Sequence, residues 1–324
     1  KAQAPDFAHP NSPHVMSKNP FATLNQTDQL DSMGFRLGTK PLMVLLLEFP
    51  DSSHNSALTH GYFEDLVFGA DPSINGYYKE ISYGKFSFTN AGVNGWYRAS
   101  RPAAYYFDAS QKDNQYPMLA AEAVQAAISA GVDFSKYDGN NDKKETRDEL
   151  LVLLILADHP FLGKPNLMAT RFDQLQSRGV VASGGLEVDT WAVRVEENID
   201  SGGVRQQQKG VYITYYAHEL AHLALALPDL YDDTFGGDPS GPFDLMATSW
   251  TVYTPHISPW AKIHLGWITP TVVTQDGWHS IRDVETHPEA YVLHDPAHGV
   301  NEYYVVENRW PPNSKYENVG DNPS

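Results

Sequence analysis

Two uninterrupted apolar runs constrain the fold of this chain more than any other feature of its sequence. The first covers residues 41–49 and is ended by Pro50, and the second covers residues 150–156. A half-exposed strand alternates apolar and polar residues, whereas a strand buried on both faces is apolar throughout. The two runs therefore predict two strands at the centre of a sheet that helices cover on both sides.

The rest of the chain supplies helices and further strands. Pro117 and Gly131 enclose one predicted helix, because proline favours the first helical turn and glycine the position after the last. The full prediction comprises helices over residues 61–68, 74–81 and 117–130, and strands over residues 85–89, 95–98, 187–195, 267–273 and 302–307. We expect an α/β fold in which helices flank a central mixed sheet and a β-rich portion follows.

Composition narrows the classes of function. The chain has 324 residues, 41% of them hydrophobic, which is enough to bury one large core or two unequal ones. Its net charge of −17 repels nucleic acid and anionic membranes and favours cations. Because there is no cysteine, disulfides, thiolate ligands and a cysteine nucleophile are excluded. No signal peptide or long apolar run is present, so we expect a processed chain with no nucleic-acid partner and no membrane span.

A pair of histidines marks the strongest candidate site. Residues 211–225 contain no helix breaker, so we predict a helix that carries His218, Glu219 and His222. Residues four apart differ by about 40° around a helix axis, so both imidazoles lie on one face and can bind one ion. Neutral imidazole is a good zinc ligand, and the adjacent Glu219 can accept a proton from water. The alternative is an incidental surface pair, but the rest of this helix is apolar, and buried ionisable groups rarely lack partners.

The segment after this helix offers a third ligand. Pro228 must end the helix, and Asp229 follows it, seven positions after His222. A turn here could bring the Asp229 carboxylate back to the ion. Alternatively, Asp229 caps the turn, and Asp232 and Asp233 bind calcium or no ion at all.

Three short motifs surround this candidate site. They are His-Glu-Leu-Ala-His at 218–222, Leu-Pro-Asp-Leu-Tyr-Asp at 227–232 and Asp-Leu-Met-Ala at 244–247. Together they resemble the immune inhibitor A family of secreted bacterial zinc metallopeptidases, a branch of the metzincins. Further similar stretches extend the resemblance over roughly residues 40–310, and these lie at 44–51, 77–85, 133–138 and 307–309.

The resemblance implies a metzincin-like fold and a role for each residue of the site. In that family two histidines and a following aspartate hold zinc, a glutamate is the general base, and a methionine forms a turn beneath the metal. These roles fall here on His218, His222, Asp229, Glu219 and Met246. Taken alone, the methionine would simply be a core residue.

One departure from the family pattern affects the third ligand. Metzincins usually have glycine three residues after the second histidine and the third ligand at six, whereas this chain has Leu225 and Pro228 there. The turn to Asp229 must therefore be made without glycine. Asp232 or Asp244 is the fallback ligand, and a later acidic ligand would make the site resemble that of the thermolysin-like peptidases.

An acidic loop suggests a second ion. Asp138, Asn140 and Asp142 carry oxygen atoms at alternate positions, and Glu149 is the twelfth residue counted from the first of them. This is the spacing of an EF-hand-type calcium loop. However, Lys143 occupies the position at which such a loop favours glycine, and the alternative is a polar loop without an ion.

These observations predict a secreted, extracellular zinc endopeptidase that cleaves protein or peptide substrates. We expect zinc to activate water and Glu219 to act as the general base. Tyr253 or His256 could donate a further hydrogen bond to the oxyanion, but a structural role is favoured for each of them. One rival is a zinc hydrolase with another substrate, such as a cell-wall amidase. The other is a calcium-stabilised surface binding or adhesion module with a vestigial metal site.

The sequence also predicts a division into three parts. Residues 1–38 contain four prolines and form an extended N-terminal arm, residues 39–270 form the catalytic domain, and residues 271–324 form a β-rich C-terminal portion. Because the sequence ends in a polar stretch soon after a predicted strand, we expect that the natural protein continues or was trimmed there.

Overall fold

A computed structural model describes residues 36–106, 115–157, 180–181, 187–188, 191–195, 198–199, 205–206, 209–231, 240–247, 253–294 and 302–317. Within these ranges the chain has a mixed α/β architecture, and most of the predicted N-terminal arm lies outside them. The helices are α1 (His60–Phe68), α2 (Ile74–Ile81), α3 (Ala103–Tyr106), α4 (Tyr116–Ser129), α5 (Lys209–Leu225) and α6 (Pro259–His264). The strands are β1 (Gly38–Glu48), β2 (Phe86–Arg98), β3 (Lys144–Glu145), β4 (Leu151–Leu156), β5 (Val180–Val181), β6 (Glu187–Val188), β7 (Trp191–Val195), β8 (Asn198–Ile199), β9 (Arg205–Gln206), β10 (Thr271–Val273), β11 (Tyr291–Leu293) and β12 (Tyr304–Val306).

The central sheet has the strand order β2-β1-β4-β7, and each of its pairs is parallel. The two apolar runs form its middle strands, β1 and β4, as the sequence predicts. The prediction of a mixed sheet is not met, since the described strands contain no antiparallel pair within this sheet. Continuous apolar runs are typical of parallel strands buried on both faces, so the parallel pairing of β1 with β4 agrees with the two runs.

Alternate residues of the central strands pack against opposite layers. Leu42 and Val44 join the core that contains α1, α2 and α5, whereas Met43 and Leu45 join the core that contains α3 and α4. Burying one leucine side chain contributes roughly 1.5–3 kcal/mol. The same strand therefore packs against helices on both faces of the sheet. Helix α5 lies on the face that also carries α1 and α2.

Helix α5 is fixed to this layer by polar contacts as well as by packing. The hydroxyl of Tyr78 on α2 donates a 2.6 Å hydrogen bond to the carbonyl of Ala217, and Tyr78 is fully buried. One turn earlier on α5, the Thr214 and Thr254 hydroxyls lie 2.8 Å apart. The helix that carries the two histidines is thus held by hydrogen bonds to α2 and to the segment around residue 254.

The C-terminal part is β-rich, as predicted. Strands β10, β11 and β12 form a separate small sheet, with Ile268, Val284 and Ala290 as its own small core. Further short sheets pair β3, β6 and β5, and β8 with β9. Hydrogen bonds nevertheless cross position 270, since the Tyr83 hydroxyl donates to the Val284 carbonyl at 2.7 Å. The division at 270 stays a prediction.

None of the described helices is both long and apolar enough to span a membrane.

Candidate metal centre

Three side chains of the predicted site converge in the structure. The Nε2 atoms of His218 and His222 lie 3.2 Å apart. Oδ1 of Asp229 lies 3.0 Å from the first and 3.2 Å from the second. Among the described residues, these three form the one group of histidine and carboxylate side chains whose ligand atoms all lie within 4.8 Å of one another.

Backbone carbonyls fix the protonation of both imidazoles. Nδ1 of His218 lies 2.7 Å from the Leu245 carbonyl oxygen, and Nδ1 of His222 lies 2.5 Å from the Leu227 carbonyl oxygen. A carbonyl oxygen only accepts, so each Nδ1 must carry the proton and donate it. In a neutral imidazole the opposite nitrogen, Nε2, then bears a free electron pair.

Burial and charge act in opposite directions on the ionisable groups of the site. Burial lowers the pKa of His218 and outweighs the opposing effect of Asp229. Burial alone would raise the pKa of Asp229, but its hydrogen bonds and charge interactions with the two histidines hold it well below its usual range. Those interactions need a proton on a histidine Nε2, and a cation in the place of that proton would be held by the same three atoms.

The spacing of the three atoms fits zinc. Zinc binds imidazole and carboxylate at about 2.0–2.1 Å with tetrahedral geometry, which separates neighbouring ligand atoms by about 3.3 Å. The observed separations of 3.0–3.2 Å are close to this value. The donor set of two imidazoles and one carboxylate is also one that zinc accepts while leaving a position open.

The turn to Asp229 is made without glycine. Helix α5 ends at Leu225, and Ala226 takes a left-handed conformation with φ of 54°. Its amide donates to the His222 carbonyl at 3.1 Å, and Pro228 then prevents further helix. A non-glycine residue in the left-handed region thus ends the helix, a position that glycine occupies in many helices.

Met246 lies in a tight turn beside both ligand segments. Leu245, the residue before it, supplies the carbonyl that orients His218. The carbonyl of Met246 accepts from the amide of Leu230, next to Asp229, at 2.7 Å. The Met246 side chain is buried in the core that includes α5.

Glu219 lies on α5 between the histidines and is only 5% exposed. Its carboxylate is not part of the three-ligand group. It therefore stands beside that group without completing it, and its role as general base stays a prediction.

The two proposed oxyanion donors differ in access. Tyr253 is partly buried, and its role stays a prediction. His256 is fully buried, and its ring nitrogens face Glu80 at 3.1 Å and Lys262 at 2.9 Å. His256 therefore has the structural role that the sequence favours, because a ring enclosed by these partners cannot reach a substrate.

The fallback zinc ligands are not brought to the site. Asp244 is buried, and its two oxygens accept from the amides of Met246 at 2.8 Å and Ser258 at 3.0 Å. Asp232 lies outside the described residues.

The predicted calcium loop is closed by its own backbone amides. Asp138 accepts from the amides of Asp142 at 3.1 Å and Lys143 at 3.0 Å. Asn140 accepts from the amide of Asp142 at 2.9 Å, and Glu149 accepts from Gly139 at 3.2 Å. Lys143 has a left-handed φ of 64°, as the glycine of such a loop would. Within the described ranges the carboxylates of this loop do not converge as His218, His222 and Asp229 do.

Sequence reasoning missed Glu145, which follows this loop. The residue is fully buried, and neither carboxylate oxygen has a hydrogen-bond partner in the described part of the chain. Burial, together with repulsion by Glu149, Asp138 and Asp142, raises its pKa to about 7. Nothing in the local pattern separates this glutamate from the exposed ones near it.

A comparison with known families bears on residues 36–149. The family model described as immune inhibitor A peptidase M6, catalytic domain, matches this segment. The match confirms the family resemblance. It covers the chain from β1 to the acidic loop and ends before His218. No curated protein matches the chain.

The match supports a metallopeptidase that acts on proteins. The three-ligand group lies in the part of the chain that follows the matched segment. The segment that matches the peptidase family and the group that could hold a metal therefore belong to one fold. Helix α5, which carries the two histidines, packs in the same core as the matched helices α1 and α2.

The carbonyls that orient the histidines could not be found from the sequence, since every residue has one. The hydrogen bond that supports the Met246 turn, in contrast, could have been predicted from the sequence. An aspartate two residues before Met246 fits a side chain that accepts from the backbone two residues on.

Proposed function

We propose that the chain is a secreted zinc endopeptidase with a metzincin-like site. One observation carries the proposal: the Nε2 atoms of two histidines and an aspartate oxygen lie 3.0–3.2 Å apart, in a chain whose residues 36–149 match a peptidase catalytic domain. Glu219 beside this group and the Met246 turn against it support the same assignment.

Each residue of the proposed site has its own role. His218, His222 and Asp229 would hold zinc, which supplies Lewis acidity to activate water and polarise the scissile carbonyl. Glu219 takes a proton from the attacking water and returns it to the leaving amine. The carbonyls of Leu245 and Leu227 keep the imidazoles in the tautomer that binds metal.

A chelator experiment tests the metal and the base together. Cleavage of an unfolded protein should stop on chelation and return with zinc. Glu219→Gln should retain zinc and lower kcat by about 10²–10⁴-fold, the usual contribution of a general base. Glu64→Gln on the exposed face of α1 is the control and should cleave at the wild-type rate. Wild-type cleavage by Glu219→Gln would exclude the proposed base.

The same assay separates the rival functions. A cell-wall amidase would cleave peptidoglycan stem peptides and leave the unfolded protein intact. An adhesion module with a vestigial site would purify without zinc and would not bind added zinc.

Secretion is supported by the family resemblance, by the absence of cysteine and by the acidic composition. An antibody to the chain should detect it in the culture medium of its source organism. Detection only inside cells would overturn this part of the proposal.

We also propose that the acidic loop takes calcium through Asp138, Asn140, Asp142 and Glu149. The alternating oxygen ligands and the left-handed Lys143 support this. Calorimetric titration should show calcium binding that Asp142→Asn weakens. Asp133→Asn, which removes a similar exposed carboxylate that accepts from the Ser135 amide, should bind calcium as the wild type does.

A further inference from the structure

The turn that contains Met246 is closed by a buried carboxylate. Asp244 is 1% exposed. One of its oxygens accepts from the amide of Met246 at 2.8 Å, and the other accepts from the amide of Ser258 at 3.0 Å. Charged acceptors make roughly twice as strong a hydrogen bond as neutral ones. The carboxylate thus fixes the turn itself and joins it to the start of α6.

The turn makes hydrogen bonds to His218 and to the segment that carries Asp229. The carbonyl of Leu245 accepts from Nδ1 of His218 at 2.7 Å. The carbonyl of Met246 accepts from the amide of Leu230 at 2.7 Å, directly after Asp229. A shift of the turn would therefore move one histidine and the aspartate together.

Hydrogen bonds from the C-terminal segment also support the turn. The amide of Leu245 donates to the carbonyl of His256 at 3.3 Å, and the amide of His256 donates to Glu317. Arg309 donates to Glu317 at 3.0 Å and also to the carbonyl of Phe243. Charged side chains from beyond position 300 thus hold the same turn.

We propose that Asp244, supported by Glu317, is a positioning residue for the metal site. It acts through the Leu245 carbonyl on His218 and through the Met246 carbonyl on the segment of Asp229. This inference rests on the proposed zinc site, and it assigns Asp244 a role different from that of a ligand. Changes in groups that orient metal ligands typically cost 10–100-fold in metal affinity.

Zinc affinity of the folded protein tests the assignment. The dissociation constant is measured by competition with a chromogenic chelator, well below the unfolding temperature of each variant. Asp244→Asn keeps one acceptor and should weaken zinc binding about tenfold, and Asp244→Ala should weaken it up to about 100-fold. Glu317→Ala should weaken it in the same direction and serves if the Asp244 variants do not fold.

Two controls distinguish positioning from a general effect on the fold. Glu122 also accepts from a backbone amide, that of Ser100 at 2.8 Å, but on the opposite side of the sheet. Glu122→Gln should keep the wild-type zinc affinity even if its unfolding temperature falls. Asp229→Asn, which removes a ligand, should change the visible spectrum of the cobalt-substituted protein.

Three results would overturn the inference. Folded Asp244 and Glu317 variants with wild-type zinc affinity would show that the turn matters only for folding. Loss of a ligand in the cobalt spectrum of Asp244→Asn, as in Asp229→Asn, would make Asp244 a ligand. A wild-type protein that binds no zinc would remove the proposed function as well, and this result alone affects both.

Discussion

The position of Asp229, the third ligand of the proposed zinc site, depends on one residue in an unusual backbone conformation. Ala226 adopts a φ of 54° where helix α5 ends, a region that costs an L-residue roughly 1–2 kcal/mol. Its conformation lets the chain turn before Pro228 and return Asp229 to the histidines.

Replacing Ala226 tests this account. Ala226→Gly should raise the free energy of unfolding by about 0.5–1 kcal/mol, because relief of the left-handed strain outweighs the added entropy of the unfolded chain. Ala226→Val should lower it by more than about 1 kcal/mol, since a β-branched residue tolerates this region poorly. Urea unfolding measures both changes.

The matched control is Ala126→Gly inside α4, which should destabilise by roughly 0.5–1 kcal/mol. If Ala226→Gly lowered the free energy of unfolding as much as Ala126→Gly does, Ala226 would not be strained.

Much of the site could be predicted from single residues. The spacing of His218 and His222 places both rings on one helical face, and the structure brings Asp229 to them. What the sequence could not show is that Leu245 and Leu227 orient the rings, because backbone carbonyls leave no mark in a sequence. The full burial of His256 was equally hidden, since it depends on partners such as Glu80, far away along the chain.

At the scale of elements, burial was easier to predict than pairing. The apolar runs became β1 and β4, and helix α2 has the predicted bounds. The two short strands predicted at 85–89 and 95–98 are one long strand, β2. Continuous apolar runs are typical of parallel strands, but the strand order β2-β1-β4-β7 depends on contacts between residues distant in sequence.

Strand β3 places Glu145 in a buried position where no described residue hydrogen-bonds to its carboxyl group, and this should appear in the pH dependence of stability. Its pKa rises from 4.5 in the unfolded chain to about 7 in the folded one. The folded state therefore holds the proton more tightly, so stability is lost as the pH rises from about 4.5 to 7. Glu145→Gln should flatten this slope and raise the free energy of unfolding at pH 8 by roughly 1–3 kcal/mol.

Urea unfolding between pH 4.5 and 8, in the presence of chelator, measures the slope. Glu187→Gln on the neighbouring strand β6 is the control. The Glu187 carboxylate is half exposed and lies 3.3 Å from Lys144, so its loss should leave the slope nearly unchanged. An unchanged slope in Glu145→Gln would mean that the buried carboxyl does not titrate in this range.

At the scale of the whole molecule, zinc should couple the site to global stability. The three ligands come together only in the folded chain, so zinc binds the folded state and stabilises it. At a free zinc concentration of 1,000 times Kd, the gain is about 4 kcal/mol. Differential scanning calorimetry should show a higher unfolding temperature with zinc, which Asp229→Asn reduces. Equal unfolding temperatures with zinc and with chelator would contradict the site.

The C-terminal segment should unfold together with the body that carries the site. The hydroxyl of Tyr316 donates to the Ser73 carbonyl at 2.9 Å and accepts from the Ser73 amide at 3.2 Å, at the start of α2. Tyr316→Phe removes the partner of the buried Ser73 amide, whereas the Ser73 carbonyl keeps its bond from the Tyr77 amide at 2.9 Å. An unsatisfied buried donor costs roughly 1–3 kcal/mol. If residues 302–317 belong to the cooperative unit of the central sheet, this variant shifts one calorimetric transition as a whole.

Tyr291→Phe is the control. It removes an exposed hydrogen bond to Ser280 within the C-terminal part and should change the free energy of unfolding by less than about 0.5 kcal/mol. A second transition that Tyr316→Phe alone displaces would instead support the predicted boundary at position 270.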